Sequence, residues 1–540
     1  MKTINKHLFV WGLAAMSLTT LHSCMEDVTP YSSTAIEEQV AGSAKATEAL
    51  VYGLPMYFNA SADDYHYQFG YGCMIHMRDV MTGDQPIAVS DYDWFDTWAE
   101  CSNLSQDVSA SWYTWAYYYK FIHNTNQVLA ITNAANPESE EYSTIEGFAA
   151  VAKAFRALAY LELAQMYEFK DNDKTTKINE DNNDISGLTV PIVTEKTTQE
   201  EARNNPRATV AKMQEFILDD LTYALENIDK FKDSDKIFPH KAAVYGLLAR
   251  YYLWTENYPK AQEAARNAID ASDVAPMTEE EALSTTAGFN DYSKWLWGAA
   301  QTDADATVST GIINWTSWMS NETSFGYASA GPFVMIDKQM YDRISNFDWR
   351  KKMWKAPEGH YLEGQTKWIN EEAGKSLPDY ASAKFRPNMG EADDYSIGAA
   401  SKYPVMRVEE MYFIEAEAAA HQNASQGKDL VEKFMKTYRN KVYTCDATDQ
   451  DGVIEEIVFQ KRVEQWGEGL TFFDIKRLDY KVTRGYKGTN HASTRRFNTD
   501  RRPAWLNFCF YRTEAENNPA LEGYNNPNPS SKYDAWKEEK

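Results

Sequence analysis

This sequence lacks the residue spacings that most catalytic and metal-binding chemistry requires. No CxxC pair occurs among its five cysteines and no HExxH among its nine histidines, so no zinc-ligand spacing is present. Gly374-Lys375-Ser376 imitates the end of a phosphate-binding loop, but the glycine needed five residues earlier is Ile369. Gly70-x-Gly72 stops short of a dinucleotide fingerprint, because its third glycine position is Ile75. Asp449, Asp451 and Gly452 mimic a calcium loop whose first position would be Ala447 and whose twelfth would be Val458. Positive charge is scarce, at 54 Lys and Arg against 79 Asp and Glu, and the net charge of −25 argues against nucleic acid and anionic lipid as partners. Strand-like alternation is sparse. The expectation is a binding protein without cofactor or metal. A glycosidase needs only two facing carboxylates, so an enzyme stays as a minor alternative.

Long apolar runs are also absent. The longest, Leu8 to Leu21, has fourteen residues, below the ~20 that a membrane-spanning helix needs. Behind Lys2, Lys6 and His7 it reads as a signal peptide over residues 1–23. Its end, Leu21-His22-Ser23-Cys24, resembles a lipobox, which implies acylation of Cys24 and anchoring in outer-membrane lipid. Met25-Glu26-Asp27 resembles the acidic signals that carry lipoproteins of Bacteroidetes-type bacteria to the cell surface, and residues 24–34 read as a lipidated tether. Cys73, Cys101, Cys445 and Cys509 are widely spaced and read as buried thiols, with a Cys73–Cys101 bridge as the alternative.

What is abundant is helical periodicity and aromatic residues. Apolar residues recur at helical spacing over Glu37–Tyr57, Leu104–Ile131, Ile145–Tyr167, Thr209–Ile228, His240–Thr255, Pro259–Ala271, Val408–His421, Lys428–Val442 and Ile454–Arg477. The pair at 240–271, with small residues Ala261, Ala264, Ala265 and Ala268 and with Tyr258 at the turn, resembles one tetratricopeptide (TPR) unit. The fold class is therefore mainly α: a degenerate TPR-like scaffold of helical pairs over about 35–274 and 402–480. A long irregular mixed insertion over about 275–401 would bear ligand loops, and a tail over 481–540 would dock on the scaffold, all within one domain from 35 to 540.

Several motifs carry a resemblance to a known family. Ala154-Phe155-Arg156-Ala157 with Tyr160, Leu163 and Tyr167, Gly187 to Pro191, Arg407 to Ala418, and Arg462-Val463-Glu464-Gln465-Trp466-Gly467-Glu468-Gly469 with Asp474 and Arg477 together resemble the SusD-like (RagB/SusD) lipoproteins. Gln460, Lys461 and Thr471 depart from the family's Glu, Arg and Arg, which puts some ion pairs in doubt. The resemblance implies a surface lipoprotein that captures an oligosaccharide or polysaccharide and acts as lid of a TonB-dependent (SusC-like) β-barrel importer. An oligopeptide ligand is the alternative. Arg407, Glu410, Glu417, Glu464, Glu468, Asp474 and Arg477 are expected to pair across packed helices.

The ligand residues are expected on two segments. Arg78, Asp79 and Asp84, then Tyr92, Trp94 and Trp98 among Asp91, Asp93 and Asp96, read as a loop before a long helix. Indole faces can carry a sugar ring while carboxylates accept its hydroxyls. Trp94 and Trp98, at i and i+4, would form one continuous shelf. In the insertion, the resemblance points to Asn314, Trp315 and Trp318. Trp112, Trp115 and Tyr117–Tyr119 are expected to pack in the core or at an interface, and Trp295 and Trp297 are expected to divide between core and surface.

Overall fold

Helical pairs stacked in sequence order form the body of the computed structural model, which describes residues 44–62, 65–286 and 288–538. The leader, Cys24 and the tether lie outside the described residues. The main helices are α1 (Ala44–Met56), α2 (Tyr71–Val80), α3 (Ser109–Asn133), α4 (Tyr142–Tyr167), α5 (Val210–Asn227), α6 (Lys241–Trp254), α7 (Tyr258–Asp270), α8 (Val408–Gln422), α9 (Ala424–Tyr438), α10 (Gln450–Glu464) and α11 (Thr471–Leu478). From α3 to α8 each helix packs on the next, and α8 in turn packs on both α9 and α10. The stack is continuous across the insertion, because α7 meets α8 directly. Among the described residues no helix is long and apolar enough to cross a membrane.

Local chemistry sets the helix boundaries. The Thr209 hydroxyl accepts from the Lys212 N–H, and Asn423 accepts from the N–H groups of Ser425 and Gln426, so each satisfies donors that a helix start leaves open. Asn257 caps α7 ahead of Pro259, a position where the missing proline N–H costs nothing. Asp449, which imitates a calcium ligand, caps α10 by accepting from Gly452 N. The alanines of α7 are all buried, as the TPR-like pattern requires, and Tyr258 stacks on His421 of α8 at 3.8 Å. All four described cysteines are buried and unpaired.

Three expectations need correction. The segment 454–477 is two helices, not one: Gly467 and Gly469 hold φ of +79° and +74°, a left-handed conformation that ends α10. A β-carbon at Gly467 would stand 2.4 Å from the Phe385 ring. Arg78 and Asp79, expected on a loop, lie in the helix α2, all ten of whose residues are buried, so α2 shows no polar stripe to betray its period. Trp295 and Trp297 are both fully buried. The strand β1 (Trp297–Ala300) pairs antiparallel with β2 (Lys402–Met406), and the ladder is covered on both faces, with Trp297 edge-on to Phe155 at 5.0 Å.

Buried ions lock the two halves together. Arg407, before α8, binds Glu468 through Nε (2.9 Å) and Glu464 through Nη1 (3.1 Å). Arg439 also grips Glu464 (2.7 and 2.9 Å), and Arg350 reaches it from the insertion at 3.1 Å. Lys384, also from the insertion, binds Glu468 at 2.7 Å. Burial alone would push the Glu464 carboxyl up, but Arg439, Arg407 and Arg350 together hold it well below the usual carboxylate range. Glu410 pairs with Arg250, Glu417 with Arg477, and Asp474 with Lys461 at 2.8 Å. The family motif charges pair as expected. At the positions that depart from the motif, Lys461 keeps an ion pair, and Gln460 accepts a hydrogen bond from Arg350 at 2.5 Å.

Removing Glu464 leaves buried arginines uncompensated, so Glu464→Ala is expected to lose about 3–5 kcal/mol of unfolding free energy in denaturant titration. A carboxylate with a depressed folded pKa stabilises fully above its ordinary value of 4.5 and loses that contribution as pH falls through its folded value. Below pH 4.5 the stability of Glu464→Gln is therefore expected to fall less steeply than that of the parent. Parallel acid limbs would contradict the assignment.

Candidate functional site

The segment between α2 and α3 forms one wall of an open cleft of about 1100 Å³, lined by Tyr65, Asp91, Trp94, Asp96, Asp107 and Ser109 among others. Its backbone is held from below by side chains remote in sequence. Arg484 donates to the carbonyls of Thr82 (2.9 Å), Ala99 (2.7 Å) and Val80 (3.1 Å). Arg495 donates to Ile87 O at 2.9 Å and pairs with the buried Asp93 carboxylate. The tail closes the far end, where Ser530 Oγ accepts from Leu104 N at 2.8 Å and Ser531 N donates to Cys101 O at 2.9 Å. On the insertion side, Ala88 N donates to Phe333 O (3.0 Å) and Met335 N to Pro86 O (2.9 Å), so the loop is stitched to residues 333–337.

Exposed aromatic rings stand on this fixed base. Trp94 is about one-third exposed and Tyr92 about one-half, at 36% and 55%. Trp94 lies over His66 (centroids 4.7 Å apart), and Tyr65, which is exposed too, stacks on Tyr67 at 5.3 Å and 8°. Ser109 Oγ donates to Tyr65 Oη at 3.2 Å, which ties the start of α3 to the same rings. Asp91 and Asp96 are exposed beside them, so the cleft combines aromatic faces with free carboxylate acceptors. Burial pushes the Asp93 carboxyl up against the pull of Arg495, which sets it apart as a tie within the loop. Among the described residues no group of three His, Cys, Asp or Glu could hold a metal ion.

The structure divides the expected ligand residues. Trp94 lines the cleft, and Tyr92 is exposed on the same loop beside it. Trp98, Trp315 and Trp318 are at most 2% exposed and belong to the core, so a continuous Trp94–Trp98 shelf does not form. The reason is local: the helical turn begins at Asp96, after Trp94, and the Trp98 ring turns inward edge-on to Tyr67 at 4.9 Å. Asn314 is buried as the cap of a short helix, accepting from Ser317 N at 2.9 Å. Arg78 is buried against Glu162 (2.9 Å) and Gly469 O (3.0 Å), and Asp79 accepts from Gly469 N at 2.8 Å. Asp84 is gripped by both arms of Arg462. None of these seven side chains offers a surface to a ligand in this conformation. The insertion still contributes through Trp318, which stacks under Tyr327 at 4.5 Å, and Tyr327 lies 6.2 Å from Tyr92.

Sequence reading missed Tyr65, Tyr327, Arg484 and Arg495. Tyr65 follows immediately on Asp63-Asp64, and that mixture of aromatic and acid could have marked it. The two arginines act on a loop some 400 residues away, and no local pattern reveals them.

A model described as starch-binding, associating with outer membrane, matches residues 65–253, and the SusD family model matches residues 257–536. A SusD-like carbohydrate binding protein from Bacteroides vulgatus has a similar structure, with TM-score 0.69 and 24% identity over 89% of this chain and 98% of that one. A SusD superfamily protein from Bacteroides thetaiotaomicron aligns with TM-score 0.67 and 17% identity over 88% and 98%. A laminarin binding SusD-like protein aligns with TM-score 0.54 and 18% identity over 81% and 90%. At these identities the likeness speaks for the fold alone. No curated protein matches this chain.

Trp94 and Trp98 should separate in a stability measurement without any ligand. Trp98→Ala is expected to cost about 3–5 kcal/mol, the usual range for a buried tryptophan, while Trp94→Ala costs about 1 kcal/mol or less. Equal losses in the two variants would contradict the division between cleft and core.

Proposed function

The chain belongs to the SusD family, and from that premise we propose that it is a non-catalytic glycan-binding lipoprotein. It is anchored in the outer membrane through acylated Cys24, faces the cell exterior, and acts as lid of a TonB-dependent β-barrel importer. One observation carries the binding reading: exposed Tyr65, Tyr92 and Trp94 stand on a rigid base beside the carboxylates of Asp91 and Asp96. A pyranose presents an apolar face that an indole can cover, and its hydroxyls donate to carboxylates at the ring's edge. Exposed side chains need no conformational change to meet a polymer, and a fixed backbone loses little entropy on binding. The similar SusD-like proteins described as carbohydrate binding and laminarin binding support the same ligand class. An oligopeptide would be favoured by a strand edge for it to extend, but β1 and β2 are buried.

The lid role follows from the family premise and from the anchor. A tethered chain is confined to the membrane surface, where its effective concentration over a barrel is high whatever its intrinsic affinity. Capture then requires a ligand site that does not hydrolyse what it holds.

A screen against plant and host polysaccharides should yield at least one ligand, and that ligand should survive incubation without new reducing ends. Loss of one stacked ring costs about 0.5–1.5 kcal/mol, so Trp94→Ala should raise Kd about two- to tenfold by calorimetry. Unchanged affinity, or depolymerisation of the ligand, would contradict the proposal.

A further inference from the structure

A second groove opens on the helix that floors the first. Along α3, Ser109 lines the first cleft, and Ala116, Lys120 and His123 line a groove of about 1050 Å³. Seven residues span nearly two helical turns, so Ser109 and Ala116 lie on one face about 10 Å apart. Half-exposed Trp112 stands between them on that face. The two openings are stations on one continuous stripe of α3.

The floor of this groove is aromatic. Trp115 packs on Tyr119 with centroids 4.6 Å apart, and Tyr119 is fixed by donating to Pro191 O at 2.7 Å. The rim differs in charge from the first cleft, which is lined by Asp91, Asp93, Asp96 and Asp107 and no cation. Here Lys120, His123 and Arg203 are exposed around the opening, and the one carboxylate in the lining is Glu514. Glu514 is occupied by the Trp115 indole N–H, and burial pushes its carboxyl up. Neighbouring acids are tied elsewhere or stand outside the lining: Glu201 closes the cap of its own helical turn, Glu516 pairs with Arg512, and Glu200 does not line the groove. In a chain with a net charge of −25, a groove whose free charges are all basic stands apart.

We propose that this groove is a second saccharide subsite that takes an acidic sugar, a uronate, with the ring over the partly exposed Tyr119, which buried Trp115 backs from the core, and the carboxylate between Lys120 and Arg203. It rests on the glycan-binding reading and adds a sugar class to it: a chain lying along α3 places neutral units in the first cleft and an acidic unit in the second. Contacts of this kind are charge-assisted, partly exposed and therefore screened by salt.

The test uses the purified full chain with free glucuronate and galacturonate as probes, and glucose and galactose as controls, read by saturation-transfer NMR. A uronate should give a stronger signal than the neutral sugars, and 0.5 M salt should suppress the excess. Losing two charge-assisted contacts should weaken it about tenfold in Lys120→Glu/Arg203→Glu. Both positions are exposed, so the variant should melt with the parent. Trp94→Ala should leave the uronate signal intact. Uronates no better than neutral sugars, or a signal indifferent to the double variant, would overturn the subsite. If Trp94→Ala fails to weaken the screened glycan while the double variant abolishes uronate binding, the first cleft fails and the second groove stands.

Discussion

Glu464 and Glu468 are the point on which the architecture turns. Four basic side chains, Arg350, Lys384, Arg407 and Arg439, converge on them from the insertion, from the start of α8 and from the end of α9. Asp348 and Glu409 complete the group, so four carboxylates meet four cations inside the protein. Isolated burial of any one of these charges would cost several kcal/mol, and only the complete set is tolerable. The constraint is geometric as well as energetic. An insertion of some 125 residues cannot shift against the scaffold without breaking ion pairs that have no water to replace them. Burial draws Lys384 down to about 8, against the attraction of Glu468.

From that centre the constraint passes to the cleft through short steps. Gly469, one residue beyond Glu468, offers its carbonyl to Arg78 and its N–H to Asp79, which fixes the end of α2. Arg462 on α10 grips Asp84, and Trp466 Nε1 donates to Asp84 O at 2.8 Å, which fixes the start of the cleft loop. Arg484 and Arg495 then hold the rest of the loop by its carbonyls and by Asp93. The motif charges thereby decide where Tyr92 and Trp94 stand. A rigid loop on a rigid scaffold is the arrangement expected of a site that must present aromatic faces ready-made.

Much of this was legible in the sequence, and the exceptions have physical causes. The helices α5, α7 and α9 announce themselves because each has a buried face and a wet one, whereas α4 and α8, buried almost all round, are marked by their length and by the motif residues they carry. The cysteines and the motif charges likewise behave as their residue types suggest. Arg78 and Asp79 look like loop residues because burial of α2 on every side erases its periodicity, and the expectation that Trp295 and Trp297 divide between core and surface assumes that an alternating Trp-Leu-Trp has one wet face. The expected shelf failed at a helix boundary: i and i+4 share a face only within one element, and Trp94 precedes the turn that carries Trp98. Composition points to this loop, and burial decides which of its rings are free. Partners such as Arg484 and Arg495 act across the whole chain, where pattern carries no information.

The central claim is that ligand contact belongs to the exposed rings of the cleft while the buried tryptophans only support them. Hydroxyl-radical footprinting with mass-spectrometric readout, with and without the screened glycan at saturation, addresses that claim directly. The account predicts protection of Tyr65, Tyr92 and Trp94 on binding, with the low reactivity of Trp98, Trp315 and Trp318 unchanged. Full reactivity of the three exposed rings in the saturated complex would contradict it.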